Sequence, residues 1–370
     1  MKKINHYILL LSLTVISSCN AQKAKENSLK DSFKKDFYIG TALTVAQIEE
    51  KNAKEDSLIK KEFNAITAEN GMKSMFIHPE KDKYDFALAD KFVAYGKKNK
   101  IFLHGHTLIW HSQLAPWMEK IKDSTEMKAF MKDHITTIVS KYKGKIDSWD
   151  VVNEALNEDG TLRKSVFLNT LGERYLIDAF KLAAAADPKV DLYYNDYNIE
   201  EPAKRAGAIQ LIKKIKAAGG KVDGVGIQGH WRLESPSVEE IEKSIEEYAA
   251  LGLKVAITEL DITVLPNPWD LKGADVNQNF EGSAKMNPYP KTLPDSVQTK
   301  LAERYASIFK VFLKHKDKIS RVTFWGVHDA QSWLNDWPIK GRTNYPLLFD
   351  TALKPKKAYN SVISLKRVKK

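Results

Sequence analysis

Cysteine occurs only once in this chain of 370 residues, at position 19. A single cysteine cannot form an internal disulfide or build a cysteine-ligated zinc site, so neither is predicted. The sequence also lacks the Gly-x-Ser-x-Gly turn that presents a nucleophilic serine in many hydrolases. The glycines at 224 and 226 are not interpreted as a nucleotide-binding loop, so no dinucleotide cofactor is predicted.

Acidic residues are fewer than basic ones, which leaves a formal net charge of +11. The lysines are spread along the chain without a nucleic-acid-binding motif, so we predict no nucleic acid partner. His104, His106 and His111 could suggest a metal site. No motif places a further ligand beside them, so we predict no metal and no cofactor.

The start of the chain resembles a bacterial export signal. A mostly apolar run at 7–16 follows two lysines, and it is shorter than the roughly 20 residues that span a bilayer. The Ile-Ser-Ser-Cys sequence that ends at Cys19 resembles a lipobox, in which the cysteine is acylated. We predict a lipoprotein signal peptide at 1–18, a lipid anchor on Cys19 and a polar tether at 19–35. This anchor would hold the exported protein on the cell envelope, at the periplasmic or outward face of the outer membrane. A plain secretory signal is the alternative.

Short β-branched or aromatic segments alternate with amphipathic segments from residue 36 onward, which predicts βα units around a parallel sheet. The predicted strands are 37–43, 65–69, 101–107, 146–153, 191–195, 224–230, 254–260 and 321–327. The clearest predicted helices are 125–142, 173–186, 202–218, 238–251 and 296–315. Eight strands with intervening helices predict an α/β fold, a (β/α)8 TIM barrel that forms a single domain at 36–370. The long, proline-rich stretch 265–295 is predicted to be a functional loop.

Polar and ionisable side chains follow seven of the eight predicted strands. The chemistry of such barrels occurs at the carboxyl ends of the strands, so these side chains are candidates for an active site. Strict alternation along the sixth and seventh strands predicts that two sets of residues each share one face. The sets are Gly224, Gly226, Gln228 and His230, and Val255, Ile257, Glu259 and Asp261.

Two glutamates end opposite strands of the predicted barrel. Glu154 ends the fourth strand and Glu259 ends the seventh, so they would face each other across the barrel mouth. Such a pair can hydrolyse a glycosidic bond, because one carboxylic acid protonates the leaving oxygen and one carboxylate meets the developing cation. The alternative is a pair of structural carboxylates held in ion pairs.

Several longer motifs resemble glycoside hydrolase family 10, the endo-β-1,4-xylanases. WDVVNEA at 149–155 resembles the acid/base segment of that family, and ITELDI at 257–262 resembles its nucleophile segment. Further motifs in the family's order are AENGMK at 68–73, GHTLIWHSQ at 105–113, YYNDYN at 193–198, GVGIQGHW at 224–231 and TFWGVHDAQSW at 323–333. The resemblance extends over about residues 36–366, nearly the whole predicted mature chain.

The resemblance implies a retaining endo-β-1,4-xylanase in which Glu154 is the general acid/base and Glu259 the nucleophile. It implies that Asn195 and Gln228 steady the two carboxylates. The implied substrate-binding residues are Glu69, Asn70, Lys73, His106, Trp110, Gln113, Asn153, Asn195, Gln228, His230, Trp325 and Trp333.

Support for the nucleophile is also implied, since His230 would bridge Glu259 and Asp261 and keep Glu259 ionised. The predicted partner is xylan or a xylo-oligosaccharide, bound by a monomer. Two alternatives stay open: a non-catalytic glycan-binding lipoprotein on a barrel scaffold, and a glycosidase that prefers another β-1,4-glycan.

Overall fold

A computed structural model describes residues 28–366, and within them the predicted barrel is confirmed. Eight parallel strands of this part of the chain pair in the order β8-β1-β2-β3-β4-β5-β6-β7, and pairing of β7 with β8 closes the sheet. The strands are β1 (Tyr38–Leu43), β2 (Ala65–Ala68), β3 (Phe102–Gly105), β4 (Ser148–Asn153), β5 (Asp191–Asp196), β6 (Gly224–Ile227), β7 (Lys254–Thr263) and β8 (Ile319–Phe324).

Helices surround this barrel. They are α1 (Leu29–Phe33), α2 (Val45–Ile48), α3 (Ala53–Glu62), α4 (Ser74–Ile77), α5 (Ala87–Asn99), α6 (Ser124–Lys141), α7 (Val166–Leu171), α8 (Arg174–Ala186), α9 (Pro202–Ala217), α10 (Val238–Ala249), α11 (Asp295–Lys314) and α12 (Lys357–Ser364). In α10, Ile241, Ile245 and Tyr248 recur at helical spacing and are buried. Ser237 begins this helix by accepting a hydrogen bond from the backbone of Glu240. Because helices bury the outer face of the sheet and side chains fill its interior, the strands are apolar along most of their length.

The folded domain begins earlier than the predicted boundary at residue 36. Leu29 and Phe33 lie one turn apart on α1 and are fully buried. The Leu29 backbone N–H donates to Glu62 at 2.9 Å, and the Phe33 ring stacks on Phe37 at 5.4 Å. The predicted tether at 19–35 therefore extends too far, because two apolar residues attach its last part to the barrel.

The predicted signal peptide and Cys19 lie outside the described residues. Among the helices of residues 28–366, none combines the length and apolar character needed to cross a membrane.

The predicted strand at 224–230 is interrupted by a turn. β6 ends at Ile227, Gly229 has a φ of 84°, and His230–Arg232 form a separate short strand that pairs with the end of β7. Glycine adopts this left-handed conformation without the steric cost of a side chain. The single strand predicted at 224–230 is therefore divided in two, although Gln228 and His230 both reach the barrel mouth as predicted.

Both strands that carry the candidate glutamates contain an irregularity near their ends. Between residues 257 and 260, β7 has one residue more than its neighbour β8. Likewise, β4 has one residue more than β5 between residues 150 and 152. A β-bulge of this kind changes which face the following side chains occupy. As a result, the consecutive residues Thr258 and Glu259 both reach Asn195, and the strict alternation predicted along β7 is wrong.

Candidate active site

A cleft of about 330 Å³ opens at the carboxyl ends of the strands. The predicted site residues that line it are Glu69, Asn70, Lys73, His106, Trp110, Gln113, Asn153, Glu154, Gln228, His230, Glu259, Trp325 and Trp333. Asn195 is fully buried and contacts Glu259 without lining the cleft. Asp261 lines a neighbouring cavity. The fold thus brings side chains from distant parts of the chain into one small volume.

Glu154 is surrounded by neutral hydrogen-bond donors. Its Oε2 accepts from Trp110 Nε1 at 2.8 Å, and its Oε1 accepts from Gln228 Nε2 at 2.9 Å. Burial raises the pKa of Glu154, and the negative charge of Glu259 adds to this rise. The two hydrogen bonds and the positive charge of Arg163 oppose the rise without cancelling it. Glu154 is therefore suited to carry a proton at a pH where an exposed glutamate would be ionised.

The backbone at Glu154 is held in an unusual conformation. Its φ is 55°, in the left-handed region that side chains other than glycine rarely occupy. The Glu154 N–H donates to the Asn195 carbonyl at 2.9 Å, which ties this residue to β5. A conformation of this type costs on the order of 1–3 kcal/mol and is found most often at functional sites.

Glu259 faces a cation as well as one neutral donor. Its Oε2 is 3.3 Å from His230 Nε2, and its Oε1 accepts from Asn195 Nδ2 at 2.9 Å. Burial alone would raise the pKa of Glu259, but the hydrogen bond from His230 and the charges of His106 and His230 lower it below the usual value. Glu259 is therefore suited to be ionised at a pH at which Glu154 carries a proton.

His230 connects Glu259 to a second carboxylate. Its Nδ1 lies 3.0 Å from Asp261 Oδ1, so each ring nitrogen faces one carboxylate. Burial opposes protonation of the ring, but Asp261 and Glu259 together raise the pKa of His230 to about 10. Trp333 Nε1 donates to the other oxygen of Asp261 at 2.7 Å. These contacts keep the imidazole charged and fixed against Glu259.

Asn195 joins the two glutamate-bearing strands through buried hydrogen bonds. Its Nδ2 donates to Asn153 Oδ1 and Glu259 Oε1, both at 2.9 Å, and its Oδ1 accepts from Thr258 at 2.6 Å. A Cβ atom on Gly226 would lie 2.2 Å from Asn195 Oδ1. Glycine at 226 therefore leaves room for the amide that orients both strand ends.

The glycines of β6 have the spacing of a dinucleotide-binding loop, Gly-x-Gly-x-x-Gly at 224–229. Such a loop follows a strand and opens a helix. Here Gly224 and Gly226 lie within β6, and the next element is the short strand His230–Arg232. A Cβ on Gly224 would also collide with the Tyr193 ring at 2.2 Å. These glycines serve packing inside the barrel.

The paired histidines of β3 both face Asp150. His106 Nδ1 and His104 Nε2 each lie 2.9 Å from Asp150 Oδ2, and His104 Nδ1 lies 2.7 Å from Ser148 Oγ. Burial lowers the pKa of His104 to about 4. Burial would raise the pKa of Asp150, but the two histidines hold it below its ordinary value. Asp150 thus orients His106, whose ring lines the cleft.

The cleft also contains one buried lysine, Lys73, together with aromatic rings. Lys73 Nζ donates to Asn70 Oδ1 at 3.0 Å and lies 5.1 Å from the centre of the Trp110 ring. Burial lowers the pKa of Lys73 and raises the pKa of Glu69. Trp325 also lines this cleft, and flat indole rings are suited to stacking on sugar rings.

A second and larger cavity of about 960 Å³ adjoins the cleft and was not predicted from the sequence. Residues that the prediction missed include Tyr197 and Arg163, which line this cavity, and Trp337, which lines both. Trp337 stacks on Trp333 with 4.5 Å between ring centres. The proline-rich loop at 265–295, predicted to be functional, supplies part of the wall and was the available signal.

Comparisons with known proteins agree with this geometry. The family Glycosyl hydrolase family 10 matches residues 28–365. Endo-1,4-beta-xylanase A of Xylanibacter ruminicola is 42% identical over 370 residues, covering 99% of this chain and 100% of the relative. Beta-1,4-xylanase of Dictyoglomus thermophilum is 39% identical, covering 96% of this chain and 97% of the relative. A solved GH10 endoxylanase retrieved from sugarcane soil metagenome is 47% identical with a TM-score of 0.88, covering 91% of this chain and 100% of its own.

Proposed function

The chain belongs to glycosyl hydrolase family 10, and we propose that it hydrolyses internal β-1,4-xylosidic bonds of xylan with retention of configuration. The observation that carries this proposal is a pair of buried glutamates in one cleft whose hydrogen-bond partners differ, so that their pKa values shift in opposite directions. Burial raises the pKa of Glu154, whereas His230 and His106 lower that of Glu259 against the effect of burial. A glycosidase needs one carboxylic acid and one carboxylate at the same pH.

In the first step, Glu259 attacks the anomeric carbon and Glu154 gives its proton to the leaving oxygen. The glycosidic bond breaks as the bond from the Glu259 carboxylate to the sugar forms. In the second step, Glu154 takes a proton from water, the water oxygen attacks the same carbon, and Glu259 leaves as a carboxylate. Two inversions at one carbon retain the β configuration.

Neighbouring side chains would position these reacting groups. Asn153 lines the cleft beside Glu154 and would bond the 2-hydroxyl of the sugar under attack, where contacts tighten in the transition state. Glu69, Asn70 and Lys73 would bind the sugar on the non-reducing side.

Product stereochemistry tests the retaining mechanism. Direct attack by Glu259 requires the two carboxyl groups to be about 5–5.5 Å apart. Proton NMR during early hydrolysis of a xylo-oligosaccharide should therefore show the β anomer first. Early appearance of the α anomer would refute the mechanism.

The two glutamate roles are tested with an aryl xylobioside whose leaving group departs without protonation. Glu154→Ala should form the covalent intermediate in a burst and then turn over slowly, because no base activates water. Azide should fill the gap, restore the rate and give a β-azide product. Glu259→Ala should show neither burst nor β-azide product, and the reverse pattern would exchange the two roles.

We also propose that Cys19 carries a lipid anchor that holds the enzyme on the cell envelope. The lipobox-like sequence before Cys19 supports this proposal. Cys19→Ser should move the enzyme from the membrane fraction to the soluble fraction without loss of xylan hydrolysis. Equal partition of both forms into the soluble fraction would contradict the anchor.

A further inference from the structure

Hydrolysis of an internal bond requires sugar units on both sides of the catalytic glutamates. The 330 Å³ cleft contains the glutamates, and the 960 Å³ cavity lies next to it. His230, Ala274 and Trp337 line both spaces, so the two adjoin at these residues. A xylan chain that extends beyond the scissile bond must pass from one space into the other.

The bridging segment, residues 273–279 of the loop between β7 and α11, lies at this junction. Val276 and Asn279 line the cleft, whereas Asp275 and Gln278 line the larger cavity. Ala274, between them, lines both. The segment therefore separates two spaces that one substrate chain must occupy together.

The bridging segment contacts parts of the barrel mouth far from its own strand. Asp275 Oδ2 forms an ion pair with Arg163 Nη1 at 3.1 Å, in the connection that follows β4. Asn277 Oδ1 accepts from Ser112 Oγ at 3.4 Å, in the connection that follows β3. On the other side, the Asp275 carbonyl accepts from Trp337 Nε1 at 3.3 Å. The segment thus spans the mouth from the β8 side to the β3 and β4 side.

Gly273 covers an aromatic ring in the larger cavity. A Cβ atom on Gly273 would lie 2.3 Å from Tyr197 Cε2, so the backbone rests directly on this ring. Lys204 Nζ lies 3.6 Å from the centre of the same ring. A sugar ring that stacks on Tyr197 from the covered side needs the place that Gly273 occupies.

The contacts that hold the segment are few and separate from the main core. Ala274 belongs to a small apolar cluster with Tyr197, Leu334 and Trp337, distinct from the main core of the barrel. The segment is also tied by the Asp275–Arg163 ion pair, by single hydrogen bonds to Ser112 and Trp337, and by two hydrogen bonds between Gln278 and Lys272 of the same loop. Segments with few buried apolar contacts open at low free-energy cost.

We infer that the bridging segment is a gate that an internal stretch of xylan must displace, and that the Asp275–Arg163 ion pair holds this gate closed. The gate selects substrates by size, because longer chains require more of the junction to be open. This inference rests on the proposed hydrolysis of xylan.

A reversible cross-link tests the gate. Ser112→Cys and Asn277→Cys are introduced into the full chain with Cys19→Ser, which removes its only other thiol. Oxidation should lower xylan hydrolysis by about tenfold or more, and a reductant should restore it. A cross-linked form, verified by thiol titration, that hydrolyses xylan as fast as the reduced form would overturn the gate. Failure of the pair to cross-link under an oxidant would overturn the closed state itself.

The reduced double-cysteine enzyme separates the gate from the proposed function. If it hydrolyses no xylan and the Cys19→Ser parent hydrolyses none either, the proposed function fails. If both hydrolyse xylan, only the gate is under test.

A second variant tests the ion pair without a cross-link. Asp275→Asn removes the charge that pairs with Arg163, so a larger fraction of the enzyme should be open. The kcat/KM for xylan should rise about two- to fivefold. The matched variant Asp270→Asn changes an exposed carboxylate of the same loop and should leave kcat/KM unchanged. An unchanged or lower value in Asp275→Asn would overturn this role of the ion pair.

Discussion

The ends of β4 and β7 place chemically identical side chains in opposite electrostatic surroundings. Glu154 and Glu259 are equally buried, at 4% and 5% exposure. Glu154 follows a bulge in its strand, and Glu259 lies within one. Glu154 accepts hydrogen bonds from an indole and an amide, which carry no charge, whereas Glu259 accepts from an amide and faces the imidazole of His230. Burial therefore dominates at Glu154, and at Glu259 it is outweighed.

This difference shows that burial alone does not assign an acid or a base. Desolvation raises the pKa of both glutamates, and the neighbouring cation decides which one stays ionised. Asp261 contributes from a distance, because it holds His230 charged and does not itself face the cleft. The role of Glu259 thus depends on His230 and, through His230, on Asp261.

The largest change in activity should come from removing the His230 imidazolium, which faces Glu259 on β7. His230→Gln should lower kcat/KM for xylan by roughly 100-fold, since a buried ion pair loses one partner. The pKa of Glu259 should rise without the imidazolium. Glu259 must be ionised to attack, so the acidic limb of the pH profile should move to higher pH.

The control for this change is His315→Gln, which removes a buried imidazole paired with Glu242 on the helical layer. It should leave the acidic limb in place. If the acidic limb does not move in His230→Gln, groups other than His230 keep Glu259 ionised.

Crowding the Asn195 amide, which joins the ends of β4 and β7, should have the next largest effect on activity. Gly226→Ala places a Cβ atom 2.2 Å from Asn195 Oδ1 and 2.8 Å from Thr258 Cγ2. Thermal unfolding should show a loss of about 1–3 kcal/mol from overpacking. Activity should fall as well, because Asn195 can no longer reach Glu259 and Asn153 together. Gly282→Ala, in the long loop, is the matched substitution: its Cβ would lie 3.0 Å from Ile339 Cγ2, so stability should fall less and activity should stay unchanged. Unaltered activity in Gly226→Ala would exclude Asn195 from the positioning of Glu259.

A smaller effect is expected from removing one neutral donor at the β4 end. Trp110→Phe keeps an aromatic ring but loses the N–H that donates to Glu154 at 2.8 Å. The kcat/KM should fall about tenfold, the value of one hydrogen bond to the Glu154 carboxylate that forms as its proton is transferred. The pKa of Glu154 should rise, so the alkaline limb should move to higher pH while the acidic limb stays in place.

Trp117→Phe provides the comparison, since its indole donates to the His78 carbonyl at 3.1 Å outside the cleft. This variant should keep both limbs of the wild-type profile. Movement of the acidic limb in Trp110→Phe would show that Trp110 also acts on the ionisation of Glu259.

The smallest effect should follow loss of the hydroxyl that orients Asn195. Thr258→Val keeps the side-chain shape and removes the hydrogen bond of 2.6 Å to Asn195 Oδ1. Stability should fall by about 1 kcal/mol and kcat/KM by less than about fivefold. Thr170→Val removes a hydroxyl bond within a helix and should lower stability alone. Equal activity losses in the two variants would exclude a specific role for Thr258.

Much of the architecture could be predicted from the chain itself, for reasons that are local. Strands and helices alternate with clear periodicity. Glu154 follows a buried strand, and Glu259 lies within a buried strand that continues to Thr263. The motifs around them resemble one family along nearly the whole chain. Residue type and spacing therefore determined the fold class and the two candidate glutamates.

Local periodicity did not predict the features that depend on neighbouring strands. A bulge exists only in relation to the strand beside it, so the alternation along β7 did not indicate that Thr258 and Glu259 both reach Asn195. The turn at Gly229 likewise depends on pairing of His230 with the end of β7. Leu29 and Phe33 looked like part of a polar tether because the segment around them is mostly polar.

The sequence by itself determined which groups are available: a barrel with carboxylates, amides, histidines and indoles at its strand ends. Only the tertiary structure decided that His230 faces Glu259, that Trp110 and Gln228 face Glu154, and that residues 273–279 lie between two cavities. The physical reason is that a pKa and a cavity both depend on what surrounds a group in space. Those neighbours come from distant parts of the chain, and the closure of the barrel brings them together.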